Sequence, residues 1–214
     1  GHDRRRFPQT SSAVMAGTMV TDASKAAGTA SSRESGETSS RTVAGDGLIV
    51  VTTPRGNIGR QLLEQLLQSG ARIRVIDRDP SRLPKHVLER VDVVQGSHGE
   101  ASAVNHAFEG AQTVFWVCPP DPGADSVEKA YLEFTRPASE AIRSRGVARV
   151  VTVSAIGRGS ELAKRAGHVT ASLAMDDVLA ATGAHFRALA MPSFMDNLLR
   201  QVAPIGTQGV FFSP

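Results

Sequence analysis

"LIVVTTPRGNIGRQLLEQLLQSG" (residues 48–70) carries three signals in order: a short apolar run, a turn with two glycines, and a helix. Leu48 to Thr52 is rich in β-branched residues without polar alternation, as a strand buried on both faces should be. Ile58, Leu62, Leu63, Leu66 and Leu67 then recur at helical spacing, and Gly70 closes the pattern as a C-cap. Between them, Gly56 and Gly59 have the G-x-x-G spacing of a turn whose amides approach a phosphate, with the anion on the positive end of the helix. The first glycine of such a turn is absent. Thr53 and Pro54 stand in its place; Pro54 fixes φ and removes one amide donor, while Arg55 adds a permanent positive charge.

Outward from this stretch, strand and helix signals alternate. "ARIRVID" (71–77) reads as a second strand, and Asp79-Pro80 opens a helix with Asp as N-cap and Pro at N1. "VDVVQG" is a third strand, "SAVNHAFEG" a short helix, and "TVFWVCPP" a fourth strand stopped by prolines. A long helix is expected over roughly 125–145, with Pro137 kinking or breaking it. "VARVVTVSAIG" and "HFRALAMP" supply the fifth and sixth strands, separated by a helix around 168–182 that ends at Gly183. This βαβα alternation predicts an α/β fold: a doubly wound parallel sheet, the Rossmann arrangement, over residues 46–214.

Residues 1–45 are rich in Ser, Thr, Gly and Ala with little apolar periodicity, so a disordered tail is expected there. The chain begins Gly1-His2 rather than Met, as a residual tag or an incomplete reading frame would, and Met15 or Met19 could be a natural start. Lys and Arg number 24 against 21 Asp and Glu, a formal net charge of +3. The tail carries six of those basic and four of those acidic residues, leaving a nearly neutral body that argues against nucleic acid as a partner. No apolar run reaches the roughly 18 residues a membrane helix needs. A single cysteine, Cys118, cannot form an internal disulfide, which fits a reducing cytoplasm. The histidines show no ligand spacing, so no metal site is expected.

The second strand ends in Asp77-Arg78, about 20 residues after the turn, where the adenosine ribose of a dinucleotide would lie. A carboxylate there accepts from the ribose hydroxyls and repels a 2′-phosphate, whereas an arginine attracts one. Both are present, so NAD and NADP stay open, with Arg55 tilting the balance slightly toward NADP.

"VTTPRGNIGRQLLEQLL", "VIDRDPSRL", "VVQG", "VFWVCPP", "GVARVVTVSAIG" and "RALAMPSFMDNLL" occur in the order seen in NmrA-like proteins, atypical members of the short-chain dehydrogenase/reductase superfamily. The resemblance covers roughly residues 48–214; the usual turn there resembles T-G-A-T-G-x-x-G, against T-T-P-R-G-N-I-G here. It implies an NAD(P)-binding domain with a small C-terminal substrate lobe, incomplete here because such chains usually continue tens of residues further. It implies that Thr53, Pro54, Arg55, Gly56, Asn57 and Ile58 hold the pyrophosphate and Asp77 and Arg78 the adenosine ribose. Gly96 and Ser97 would lie near adenine, where Gly-Asp is usual. Cys118, Pro119 and Pro120 with Ser154 and Ala155 would flank the nicotinamide, and Met191 and Pro192 would line the same cleft.

Ordinary members of that superfamily use Tyr-x-x-x-Lys on one helix face, the lysine lowering the tyrosine pKa. The one tyrosine, Tyr131, has Thr135 at the fourth position and precedes the fifth strand, so the motif is absent. His168 is a weak candidate proton donor; its plainer reading is a polar residue on a first helical turn. Asp176 and Asp177 are adjacent and so point apart, a poor acid/base pair. Cys118 reads as small packing or a redox-sensitive thiol. The function implied is an NAD(P)H-dependent oxidoreductase acting on a small carbonyl or quinone; the alternative is a non-catalytic NAD(P) redox sensor with no substrate. Oligomeric state is left open.

Overall fold

The computed structural model describes residues 47–119, 123–192, 194–199 and 201–211; the tail expected over 1–45 and Pro120 lie outside the described residues. Six strands form one sheet: β1 (Leu48–Thr52), β2 (Ile73–Asp77), β3 (Asp92–Gln95), β4 (Ala111–Trp116), β5 (Arg149–Ala155) and β6 (His185–Met191). Their order is β3-β2-β1-β4-β5-β6 and every neighbouring pair is parallel. This is the doubly wound α/β arrangement expected from the alternation, with strand order reversing between β1 and β4.

The apolar runs bury because both sheet faces are covered. Val50, Val114 and Val150 point to one face, where Val104 and Phe108, Ala138 and Ile142, and Met175 and Leu179 meet them. Those six belong in pairs to α3 (Ala101–Ala107) and the residue after it, α4 (Phe134–Arg145) and α5 (His168–Ala180). Val51, Val75 and Phe115 point to the other face against Leu63 and Leu67 of α1 (Asn57–Gln68) and Val87 of α2 (Lys85–Leu88). Each fully buried Val or Leu contributes about 1.5–3 kcal/mol. Two short helices, α6 (Asp196–Leu199) and α7 (Val202–Gln208), follow β6. Among the described residues no helix is long and apolar enough to cross a membrane.

Two expected helices differ. Asp79 and Pro80 hold the expected N-cap and first positions, but of a short 3-10 turn, Pro80–Arg82, and the Asp79 carboxylate accepts from the Ser81 hydroxyl at 2.6 Å rather than from a cap amide. Pro137 does not break the helix either: it lies inside α4, which follows a π-helical turn at Lys129–Glu133. Proline cannot donate to the carbonyl four residues back, here Glu133, and its ring crowds that carbonyl. The widened turn ends on that residue.

The turn between β1 and α1 closes with the Gly56 N–H donating to the Thr53 carbonyl at 2.9 Å. Thr53 has φ +51°, the only positive φ at a non-glycine among the described residues. The chain therefore keeps the left-handed turn without the glycine that normally permits it. A Cβ on Gly59 would stand 2.1 Å from the Thr53 carbonyl oxygen, so helix and turn touch only because Gly59 has no side chain.

A left-handed residue with a Cβ costs about 1–2 kcal/mol, and glycine's greater freedom in the unfolded chain offsets about 0.5–1 kcal/mol of any relief. Thr53→Gly should therefore stabilise the fold by up to about 1.5 kcal/mol, seen as a higher urea midpoint at unchanged slope. A lower midpoint would contradict a strained Thr53.

Candidate functional site

A cavity of about 710 Å³ opens over the C-terminal ends of β1, β2, β3 and β4. Thr53, Pro54, Arg55, Gly56, Asn57 and Ile58 line it, as do Asp77 and Arg78, Gly96 and Ser97, and Cys118 and Pro119. Each group comes from the end of one of those strands or from the turn that leaves it, which is why residues as far apart as Thr53 and Pro119 converge. The wall also includes Gly59, the second glycine of the expected phosphate turn, and His98, Val117, Phe134, Phe194, Met195 and Asn197, which the sequence reading did not assign to a site.

Ser154, Ala155, Met191 and Pro192, expected at the same cleft, are not part of this wall. Ser154 and Thr152 instead donate their hydroxyls to Asp176 of α5, Thr152 at 3.0 Å to Oδ1 and Ser154 to Oδ2. Asp176 is fully buried, so turning the Ser154 hydroxyl toward it satisfies both groups away from water. Its neighbour Asp177 is exposed and pairs with Arg158 at 2.7 Å, the opposite orientations expected of adjacent residues. Ala155 and Met191 are partners in the β5–β6 register, one strand beyond the cavity.

At the β2 end, Asp77 is buried and its carboxylate is engaged twice. Arg55 Nε donates to Oδ2 at 2.7 Å and the Asp79 backbone N–H donates to Oδ1 at 2.8 Å. The hydrogen bond to Asp77 holds the Arg55 guanidinium's proton more tightly than usual, against a smaller desolvation. Arg78 is exposed beside this pair. The sequence placed Arg55 beside a phosphate and Asp77 beside a ribose; the structure joins them, so the carboxylate's charge is balanced by a guanidinium of the turn.

At the β4 end, Thr52 fixes the exit of the strand. Its hydroxyl accepts from the Val117 N–H at 2.8 Å and donates to the Phe115 carbonyl at 3.1 Å. His98, in the loop after β3, bonds through Nε2 to the Val117 carbonyl at 3.1 Å; because a carbonyl only accepts, Nε2 carries the hydrogen. The imidazole stands edge-on to Trp116 and Phe134, with ring centroids 5.2 and 4.7 Å away. Its one legible signal was adjacency to Gly96-Ser97 in a strand-exit loop. His168 is exposed on the first turn of α5, outside the cavity wall, with Tyr131 edge-on at 6.1 Å.

A model of the NAD(P)H-binding family matches residues 55–205. The chain belongs to the NAD(P)H-binding family. This NAD(P)H-binding chain is 34% identical over 85 residues to a (4-alkanoyl-5-oxo-2,5-dihydrofuran-3-yl)methyl phosphate reductase of Streptomyces griseus, covering 39% of the chain and 29% of that protein. It is 31% identical over 117 residues to cinnamoyl-CoA reductase 1 of Oryza sativa, covering 51% of the chain and 35% of that protein. The matches thus span about a third of these relatives' lengths. In fold it is similar to an NADPH-dependent quinone oxidoreductase of Escherichia coli solved with NADPH: TM-score 0.63, 20% identity, 76% of this chain and 55% of that one.

Burial pushes the His98 imidazole down to about 4, outweighing its hydrogen bond to Val117. The unfolded chain, with His98 near 6.5, then takes up a proton that the native state refuses between pH 6.5 and 4. Stability from this group is complete above pH 6.5 and is lost as pH falls toward 4. From pH 7 to 5 the loss should be about 2 kcal/mol. Urea unfolding of the native chain and of His98→Gln at both pH values isolates it; equal losses in the two proteins would contradict a buried neutral His98.

Proposed function

We propose that this NAD(P)H-binding chain is an NmrA-like oxidoreductase that reduces a small carbonyl compound or quinone with NADPH, and that residues 46–214 form its cofactor-binding domain. The observation that carries the reading is the turn at Thr53–Gly59: α1 points its unpaired N-terminal amides into the cavity, and Gly59 leaves room for a backbone wrapped that tightly. In this reading Thr53 to Ile58 take the pyrophosphate. Gly96 and Ser97 lie toward adenine, Asp77 and Arg78 toward its ribose, and Cys118 and Pro119 toward the nicotinamide. Bound NAD(P)H supplies a hydride. The chain's residues bind and orient it and, through Val117, Phe134, Phe194 and Met195, offer an apolar wall to the acceptor.

The Arg55–Asp77 pair supports NADPH over NADH. With its charge balanced by Arg55, Asp77 no longer repels a 2′-phosphate, and Arg78 adds a second guanidinium beside it. Calorimetric titration with NAD⁺, NADH, NADP⁺ and NADPH tests this. The NADP forms should bind at least tenfold tighter, about 1.4 kcal/mol, and Arg78→Ala should remove most of that preference. Tighter binding of NADH would overturn the cofactor assignment, and no heat with any of the four would overturn the reading itself.

The engagement of Ser154 by Asp176 favours a second reading, a redox sensor that binds NAD(P) without turnover. Tight cofactor binding with no oxidation of NADPH by any carbonyl or quinone would select it.

A further inference from the structure

Reduction of a carbonyl adds a hydride at carbon and a proton at oxygen. If NAD(P)H supplies the first, as the reading above holds, this chain must place a donor for the second. The Tyr-x-x-x-Lys pair on one helix is absent, yet the fold brings a phenol and an imidazole together from two helices. Tyr131 lies in the π-helical turn ahead of α4, and its ring stands edge-on to His168 on the first turn of α5 at 6.1 Å. That turn packs behind one residue of the cavity wall: the Cys118 thiol donates to the carbonyl of Ala130, the residue before Tyr131, at 3.4 Å. Single π-turns inside helices recur at functional sites. This one has a sequence cause in Pro137, which leaves the Glu133 carbonyl unpaired within the α-helical pattern.

We propose that Tyr131 is the proton donor for carbonyl reduction and that His168 returns its proton from solvent. The hydride's electron pair forms the new C–H bond and the C=O π pair moves onto oxygen. The phenolic O–H breaks as the new O–H forms, and the phenolate left behind takes a proton from His168, which is exposed and exchanges with water. Burial, with a smaller effect of the nearby Cys118, holds the phenol's proton above the usual tyrosine range, so Tyr131 keeps its proton at physiological pH until a stronger base, the developing alkoxide, takes it. The assignment rests on the oxidoreductase reading and narrows it to carbonyl acceptors. An alkoxide is far more basic than a hydroquinone anion and depends far more on a positioned acid.

The chain has one tyrosine, so growth on 3-fluorotyrosine labels Tyr131 alone. Its ¹⁹F resonance should move when NADPH is added to the full chain; a resonance that stays put while NADPH binds overturns the placement. In steady-state assays with an aldehyde or ketone panel, Tyr131→Phe should lower kcat/KM by about 100-fold or more, with the NADPH Kd changed less than twofold. His168→Ala should lower kcat on the order of tenfold, and added imidazole should restore it. Turnover of Tyr131→Phe within a few-fold of the native chain would overturn the role while leaving the oxidoreductase reading intact, as would reduction of quinones but no carbonyl. A native chain that binds NADPH and reduces neither class would overturn both.

Discussion

The carbonyl oxygen of Thr53 sits where a side chain on residue 59 would be, and the geometry of the cofactor end follows from that contact. Helix α1 can start this close to β1 only with glycine at 59, and the turn can bend this tightly only with Thr53 in the left-handed region. A β-branched residue held there stores strain on the order of 1–3 kcal/mol, and packed surroundings are what hold it. Buried Pro54 and the Gly56-to-Thr53 hydrogen bond supply part of that restraint. The next residue, Arg55, is thereby aimed at the end of β2, where it meets Asp77. One strained turn thus sets both the direction of the helix amides and the charge beside the adjoining strand.

The rest of the site is held by polar side chains at strand ends. Thr52 joins β1 to the exit of β4, and His98 joins the loop after β3 to the same residue, Val117. Thr152, Ser154 and Asp176 tie β5 to α5. Each such bond contributes a net of about 1 kcal/mol, and leaving one of these buried groups without its partner would cost about 1–3 kcal/mol. Their position matters more than their sum: the Thr52 and His98 bonds lie where the strands finish and the cavity begins, and the Asp176 bonds lie one strand beyond it. Parallel strands deliver their loops to one edge, and these bonds keep those loops together.

The doubly wound parallel sheet and the turn that opens its cavity were legible from residues 48–77 and the alternation that follows. Buried parallel strands read as unbroken apolar runs, and a glycine pair, common by itself near helix starts, gains meaning by following the first strand and preceding an amphipathic helix. The Asp77–Arg78 pair could be placed at the end of the second strand by counting. The salt bridge from Arg55 could not, since it depends on a φ value at Thr53 that sequence suggests only through a missing glycine. His98 was passed over because its partners, Val117, Trp116 and Phe134, come from two other elements. Ser154 was expected on the cleft because the family resemblance implied it. Its hydroxyl faces a carboxylate 22 residues away, a choice made by burial rather than by spacing. Tyr131 has Thr135 rather than lysine at the fourth position and precedes β5, which set it outside the Tyr-x-x-x-Lys motif; its contact with His168 depends on α4 and α5 covering the same face of the sheet.

The most direct test of the turn is a ¹H–¹⁵N correlation spectrum of the full chain titrated with NADPH. The amides of Gly56, Asn57, Ile58 and Gly59 should show the largest shifts, with Asp77, Arg78 and Ser97 next and the α2 amides unmoved. Binding that shifts other amides while leaving Gly56 to Gly59 in place would contradict a dinucleotide held by this turn.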